Sequence, residues 1–133
     1  MLSFYGFLRI SNLVAATRQA FDKDRQLCRR DVTITPEGLL VYLKWAKNLQ
    51  RADQSHIICL PKMRNPLLCL VVTMSTLFSL QAYDLDDLVI KVGHEPLTQS
   101  HLQRRLNSVI KSLGLSQDKL TYHALWHSGA SLA

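Results

Sequence analysis

An α+β domain, mostly helical around a small three-stranded antiparallel sheet, is the fold class the sequence predicts. Three observations predict it. Residues 32–60 hold short β-rich runs separated by turn residues. Residues 67–82 and 98–113 carry apolar side chains at helical spacing. The length, 133 residues, suits one domain with one core, residues 1–133.

In chain order, residues 2–16 read as a helix with Arg9 embedded in it, because apolar positions recur every three to four residues and no proline intervenes. The stretch "TRQAFDKDRQLCRR", 17–30, is polar and charged and reads as a loop. "DVTI-TPEG-LLVYLKW" then reads as a β-hairpin, with Pro36 and Gly38 at the second and fourth positions of a type I turn. Leu39, Val41, Leu43 and Trp45 would share one face of the second strand, and Leu40, Tyr42 and Lys44 the other. A third strand is expected at "SHIICLP", after the connection "AKNLQRADQ".

Residues 67–82 read as a buried helix, and 83–97 as an exposed acidic loop with a short extended piece. Thr98 is a good N-cap for a further helix. That helix carries an apolar stripe at Leu102, Leu106, Val109, Ile110 and Leu113, and Gly114 suits its C′ position. Gln103, Arg104, Asn107 and Lys111 form its polar face. A last helix is expected to begin near Tyr122.

Composition narrows the function. Apolar residues make up 47% and charged residues 20%, which is globular rather than disordered. Sixteen Lys and Arg against ten Asp and Glu give +6, a balance suited to an anionic partner, nucleic acid first among them. A soluble protein that merely happens to be basic accounts for the charge equally well. The longest apolar run, 67–80, is too short to span a bilayer, so no membrane is expected as a partner. Arg9 interrupts the apolar start and no signal-peptide cleavage site is evident. Cys28, Cys59 and Cys69 lack paired spacing and read as free thiols in a reducing compartment, two of them among aliphatics as core candidates. His123 and His127 stand four apart but have no third ligand nearby in sequence, so no metal site is expected. No glycine-rich phosphate loop is present.

Four segments in order, "YGFLRISNLV", "DVTITPEGLLVYLKWAKNLQRADQSHIICLP", "LTQSHLQRRLNSVIKSLGL" and "YHALWHSGASLA", give the chain its resemblance. It resembles the catalytic domain of tyrosine recombinases, the phage-integrase superfamily, and is most similar to recombinases of vertebrate Ngaro/DIRS-type retrotransposons. The resemblance implies an integrase-like fold, here incomplete at both ends. It also implies strand cleavage and rejoining through a 3′-phosphotyrosine intermediate, without metal or other cofactor. In such chemistry two arginines clamp the phosphate oxygens, a lysine on the β2–β3 connection protonates the leaving oxygen, a histidine supports proton transfer and a tyrosine attacks phosphorus.

Carried over by resemblance, Arg9 matches the first arginine, Lys47 the hairpin lysine with Lys44 as its rival, and His123 the histidine. Trp126 stands where the second arginine is expected. Indole has one N–H and no charge, so the bidentate clamp is lost at a cost of about 10²–10³ in rate. His127 lies about 100° round a helix from position 126, too far to substitute. Tyr5, Tyr42, Tyr83 and Tyr122 do not match the nucleophile's place, which the family puts a few dozen residues beyond the "S-G-A" segment.

The resemblance thus implies a DNA-binding fragment that does not cleave by itself, in the nucleus or cytoplasm and not secreted. DNA contacts are expected from Arg9, Lys44, Lys47, Arg51, Arg104, Arg105 and Lys111, with self-association on DNA. The rival reading for Arg104, Arg105 and Lys111 is an ordinary solvated helix face. Two further readings stand beside it: a protein-interaction or structural remnant of a mobile element, and an enzyme that takes its tyrosine from another subunit.

Overall fold

The computed structural model describes residues 8–44 and 56–116. Within them the chain is α+β. The elements are α1 (Ile10–Leu13), a 3₁₀ turn (Arg29–Asp31), β1 (Val32–Ile34), β2 (Gly38–Leu43), β3 (His56–Pro61), α2 (Leu70–Leu80), β4 (Lys91–Val92), β5 (Glu95–Pro96) and α3 (Gln99–Ser112). The sheet has the order β1-β2-β3, both pairs antiparallel.

The predicted hairpin is present. Val32 pairs with Val41 and Ile34 with Leu39. Thr35 closes the turn: its N–H donates to the Gly38 carbonyl at 2.9 Å, and its Oγ1 accepts from the Gly38 N–H at 3.1 Å. Strand alternation sorts β2 as expected, with Leu39 and Val41 fully buried and Leu40 and Tyr42 exposed. At Gly38 the strands meet too closely for a side chain, since a Cβ there would collide with the Leu60 carbonyl oxygen.

Helix α2 packs Leu70, Val71 and Met74 against the sheet, in one core cluster with Leu39, Val41 and Leu60. It is not the buried helix its composition predicts. Leu80 is 78% exposed, and Leu67 in the turn before it is 84% exposed. A helix laid on one sheet buries one stripe, and the other apolar residues face outward.

The largest departure lies in the irregular segments. The helix expected over 2–16 exists among the described residues as a single turn, and Val14 is already extended. Tertiary hydrogen bonds compete with helix continuation here. The Ala15 N–H donates to the Leu97 carbonyl at 3.0 Å, and the Ala15 carbonyl accepts from Gln99 N–H at 2.9 Å. The loop expected to be exposed over 83–97 folds back on residues 27–30. Val89 N–H donates to Leu27 at 2.8 Å and Arg29 N–H to Asp87 at 2.8 Å. Leu88, Val89 and Leu97 thereby enter the core. Of the cysteines flanked by aliphatics Cys69 is buried but Cys59 is exposed, and the second buried thiol is Cys28.

Helix α3 is bounded as predicted. Thr98 Oγ1 accepts from His101 N–H at 3.4 Å, and Gly114 adopts φ +68° beyond the last turn. Its apolar stripe is only half used: Ile110 is buried and Leu102 packs on the core, whereas Val109 and Leu113 are exposed.

Candidate nucleic-acid interface

Five of the eight carboxylates of the described residues, Asp22, Asp24, Asp84, Asp86 and Asp87, lie in two loops, and three of these pair with bases nearby. Arg30 and Lys23 both pair with Asp86, at 2.6 and 3.4 Å. Arg25 pairs with Asp22 at 3.6 Å, and Lys91 with Asp87 at 2.6 Å. Arg29 is spent internally, donating to the Val32 carbonyl at 3.1 Å and stacking 3.9 Å above the Phe78 ring. This side of the molecule offers little unmatched positive charge.

Helix α3 is different. It carries Arg104, Arg105 and Lys111 and no Asp or Glu at all. All three cations are exposed, and none forms an ion pair among the described residues. A cleft of about 390 Å³ opens where the 16–19 segment lies against the first turns of α3. Thr17, Arg18, Gln19, Ser100, His101 and Arg104 line it. Glu95 sits at its flank, holding Arg18 at 2.7 Å. The Ala15–Thr98 bridge builds this cleft by fixing the 16–19 segment beside the helix.

Of the residues named from the sequence, Arg9 is an exposed, extended residue at the N-cap of α1, φ −69° and ψ 152°, rather than an embedded helix residue. Its exposure removes any need for a buried partner. Lys44 turns its charge inward. Its Nζ lies 2.7 Å from Asp31 Oδ2 and 3.6 Å from Cys28 Sγ, and it donates to the Lys23 carbonyl, which makes it a clasp rather than a phosphate contact. Arg104 and Arg105 are exposed on α3. Lys47, Arg51, His123, Trp126 and His127 lie outside the described residues.

Sequence reasoning missed Arg18 and His101 as members of one site. The signal was thin, because only the pairing of Ala15 with Thr98 brings Arg18 to α3. No cluster of His, Cys, Asp and Glu able to hold a metal occurs among the described residues, and no helix there is long and apolar enough to cross a membrane.

Comparisons with protein-family models, with curated proteins and with solved structures return no match.

Proposed function

We propose that this chain is a DNA-binding domain derived from the catalytic domain of a tyrosine recombinase, with an integrase-like fold, and that it does not cleave DNA by itself. The observation that carries the reading is one of order. Arg9 precedes a β1-β2-β3 antiparallel sheet, Lys47 falls in the β2–β3 connection, and helices follow. That is the order the sequence resemblance demands. The bases of α3, which form no ion pair among the described residues, add the electrostatic means to hold phosphates.

In this reading Arg9, Lys47 and His123 keep the family's places but form an incomplete catalytic set. Trp126 at the second-arginine position offers a phosphate one neutral donor in place of a charged fork. The partner is duplex DNA, and the compartment is the nucleus or the cytoplasm.

A thermal melt with and without excess duplex DNA, at low and at physiological salt, tests the reading. The expected result is a cooperative transition that DNA raises, and raises more at low salt. Trp126→Arg is then expected to tighten binding. A transition indifferent to DNA overturns the proposal.

One observation favours a second reading, a protein-interaction module: the outward apolar residues Leu67, Leu68, Val72 and Leu80 around α2. Concentration-dependent self-association without DNA, abolished by Leu80→Glu, would support it over DNA binding.

A further inference from the structure

We propose that the cleft between residues 16–19 and α3, together with the Arg104–Lys111 stripe running from it, seats one strand of a nucleic-acid backbone. Arg104 and Arg18 take a phosphate inside the cleft and Lys111 takes one further along. The proposal rests on the DNA-binding reading and names the face that does the binding.

Two independent observations converge. The first is the cleft's chemistry. Arg18, Gln19 and Arg104 offer N–H donors, Thr17 and Ser100 offer hydroxyls, and no carboxylate of the described residues belongs to the lining. Glu95 holds Arg18 from an adjoining cavity that shares Arg18, Thr98 and His101 with the cleft, through an exposed pair of the kind worth little in water. Arg18 therefore exchanges or shares that partner at small cost. The cleft holds a phosphate with its hydration water.

The second is charge placement along α3. Arg104 and Lys111 are seven residues apart, so they lie within about 20° of the same face and roughly 10 Å apart along the axis. One strand of a duplex rises about 3.4 Å per nucleotide but also winds round the axis, so successive phosphates lie farther apart than that and the pair bridges about one to two nucleotide steps. Arg105 flanks this stripe, and no acidic residue of α3 opposes it. The partly buried Leu102 and the buried Ile110 belong to the helix's other, core-facing side.

The lining also selects among phosphate ligands. Among the described residues it contains no Phe, Tyr or Trp and no large aliphatic side chain on which a base could stack. A free nucleotide would keep its phosphate contacts but lose the stacking that usually anchors its base. A continuous backbone suffers no such loss, because its next phosphate meets Lys111.

The test measures binding of the full chain to a fluorescein-labelled 20-base-pair duplex between roughly 50 and 200 mM salt. For Arg104→Gln the salt slope is expected to fall in magnitude by about 0.9, and for Arg104→Gln/Lys111→Gln by about twice that, with weaker binding at low salt. Arg25→Gln, whose guanidinium pairs with Asp22 and does not line the cleft, is expected to keep the wild-type slope. Circular dichroism checks that each variant stays folded, which the exposure of Arg104 and Lys111 favours. If the wild type binds DNA but the double variant keeps its slope, the face is wrong and the DNA-binding reading survives. If the wild type ignores DNA while inorganic phosphate raises its melting temperature in an Arg104-dependent way, the cleft takes free anions, and both the backbone proposal and the DNA reading fall. Indifference to both ligands overturns both as well.

Discussion

Lys44 Nζ lies 2.7 Å from Asp31 Oδ2, and this pair ties the end of β2 to the 3₁₀ turn that leads into β1. Asp31 is 5% exposed at its side chain and Lys44 16%, so both charges have given up most of their water. The same Asp31 Oδ2 accepts the Cys28 N–H at 2.7 Å, so the carboxylate that caps the 3₁₀ turn also holds Lys44.

Removing one partner of such a pair leaves the other charge stranded. Lys44→Met is expected to cost about 3 kcal/mol, the lower end for buried pairs, because the lysine keeps some contact with water. A urea titration reads this as a lower midpoint. Lys44→Met/Asp31→Asn is expected to recover part of the loss, since no unpaired charge remains. An unchanged midpoint for Lys44→Met would mean that Asp31 is fully solvated.

Gly38 is a steric requirement rather than a conformational one. A Cβ would strike the Leu60 carbonyl oxygen and approach Pro61 Cα at 3.1 Å, both backbone atoms of β3 that side-chain rotation cannot move. Gly38→Ala is therefore expected to push β3 away from β2 and cost about 1–3 kcal/mol, typical of overpacking. Amide hydrogen exchange at Val41 and Ile58, which pair across β2 and β3, is expected to accelerate with it. Gly114→Ala, at φ +68° with open space around it, is expected to cost about 1 kcal/mol through backbone conformation alone.

The Asp87 carboxyl is held below the usual carboxylate range, chiefly by the hydrogen bond from Lys91 Nζ, with burial working the other way. A depressed carboxylate contributes stability that is fully present above its unfolded value, about 3.9, and is lost as pH falls from there through the lower folded value. Melting temperature is thus expected to drop on acidification below about pH 4, and Asp87→Asn is expected to flatten that part of the profile. Identical acid limbs for variant and wild type would remove Asp87 from the account.

Thiol accessibility separates the three cysteines. Cys59 is exposed on β3, whereas Cys28 and Cys69 are fully buried. Burial also pushes the Cys28 thiol up, although Lys44 opposes the shift. An aromatic disulfide reagent is expected to modify Cys59 quickly in the native state, and Cys28 and Cys69 only on unfolding. Rapid native-state modification of Cys28 would mean that the Lys44–Asp31 clasp opens readily.

Much of the fold was legible in local patterns. The hairpin over 32–43 followed from β-rich runs around a Pro-Glu-Gly turn, and its inward residues Leu39 and Val41 followed from strand alternation. Thr98 and Gly114 bounded α3 because capping depends on one or two residues and their own backbone. The irregular segments were not legible. Nothing in "AATRQ" shows that Ala15 will pair with Thr98, or in "DLVIKV" that Leu88 will pair with Cys28. Those partners lie far apart in the chain, and their pairing depends on closing long loops rather than on local preference.

The sequence by itself determined the α+β class, the three-stranded sheet, the ends of α3 and the basic surplus, because each depends on near neighbours or on composition. Only the tertiary structure decided where the charge remains free. It gave Lys44 to Asp31 and Arg29 to Phe78, and it brought Arg18 beside Arg104. A charge seeks whichever partner folding brings within a few ångströms, and long-range backbone pairing chooses that partner.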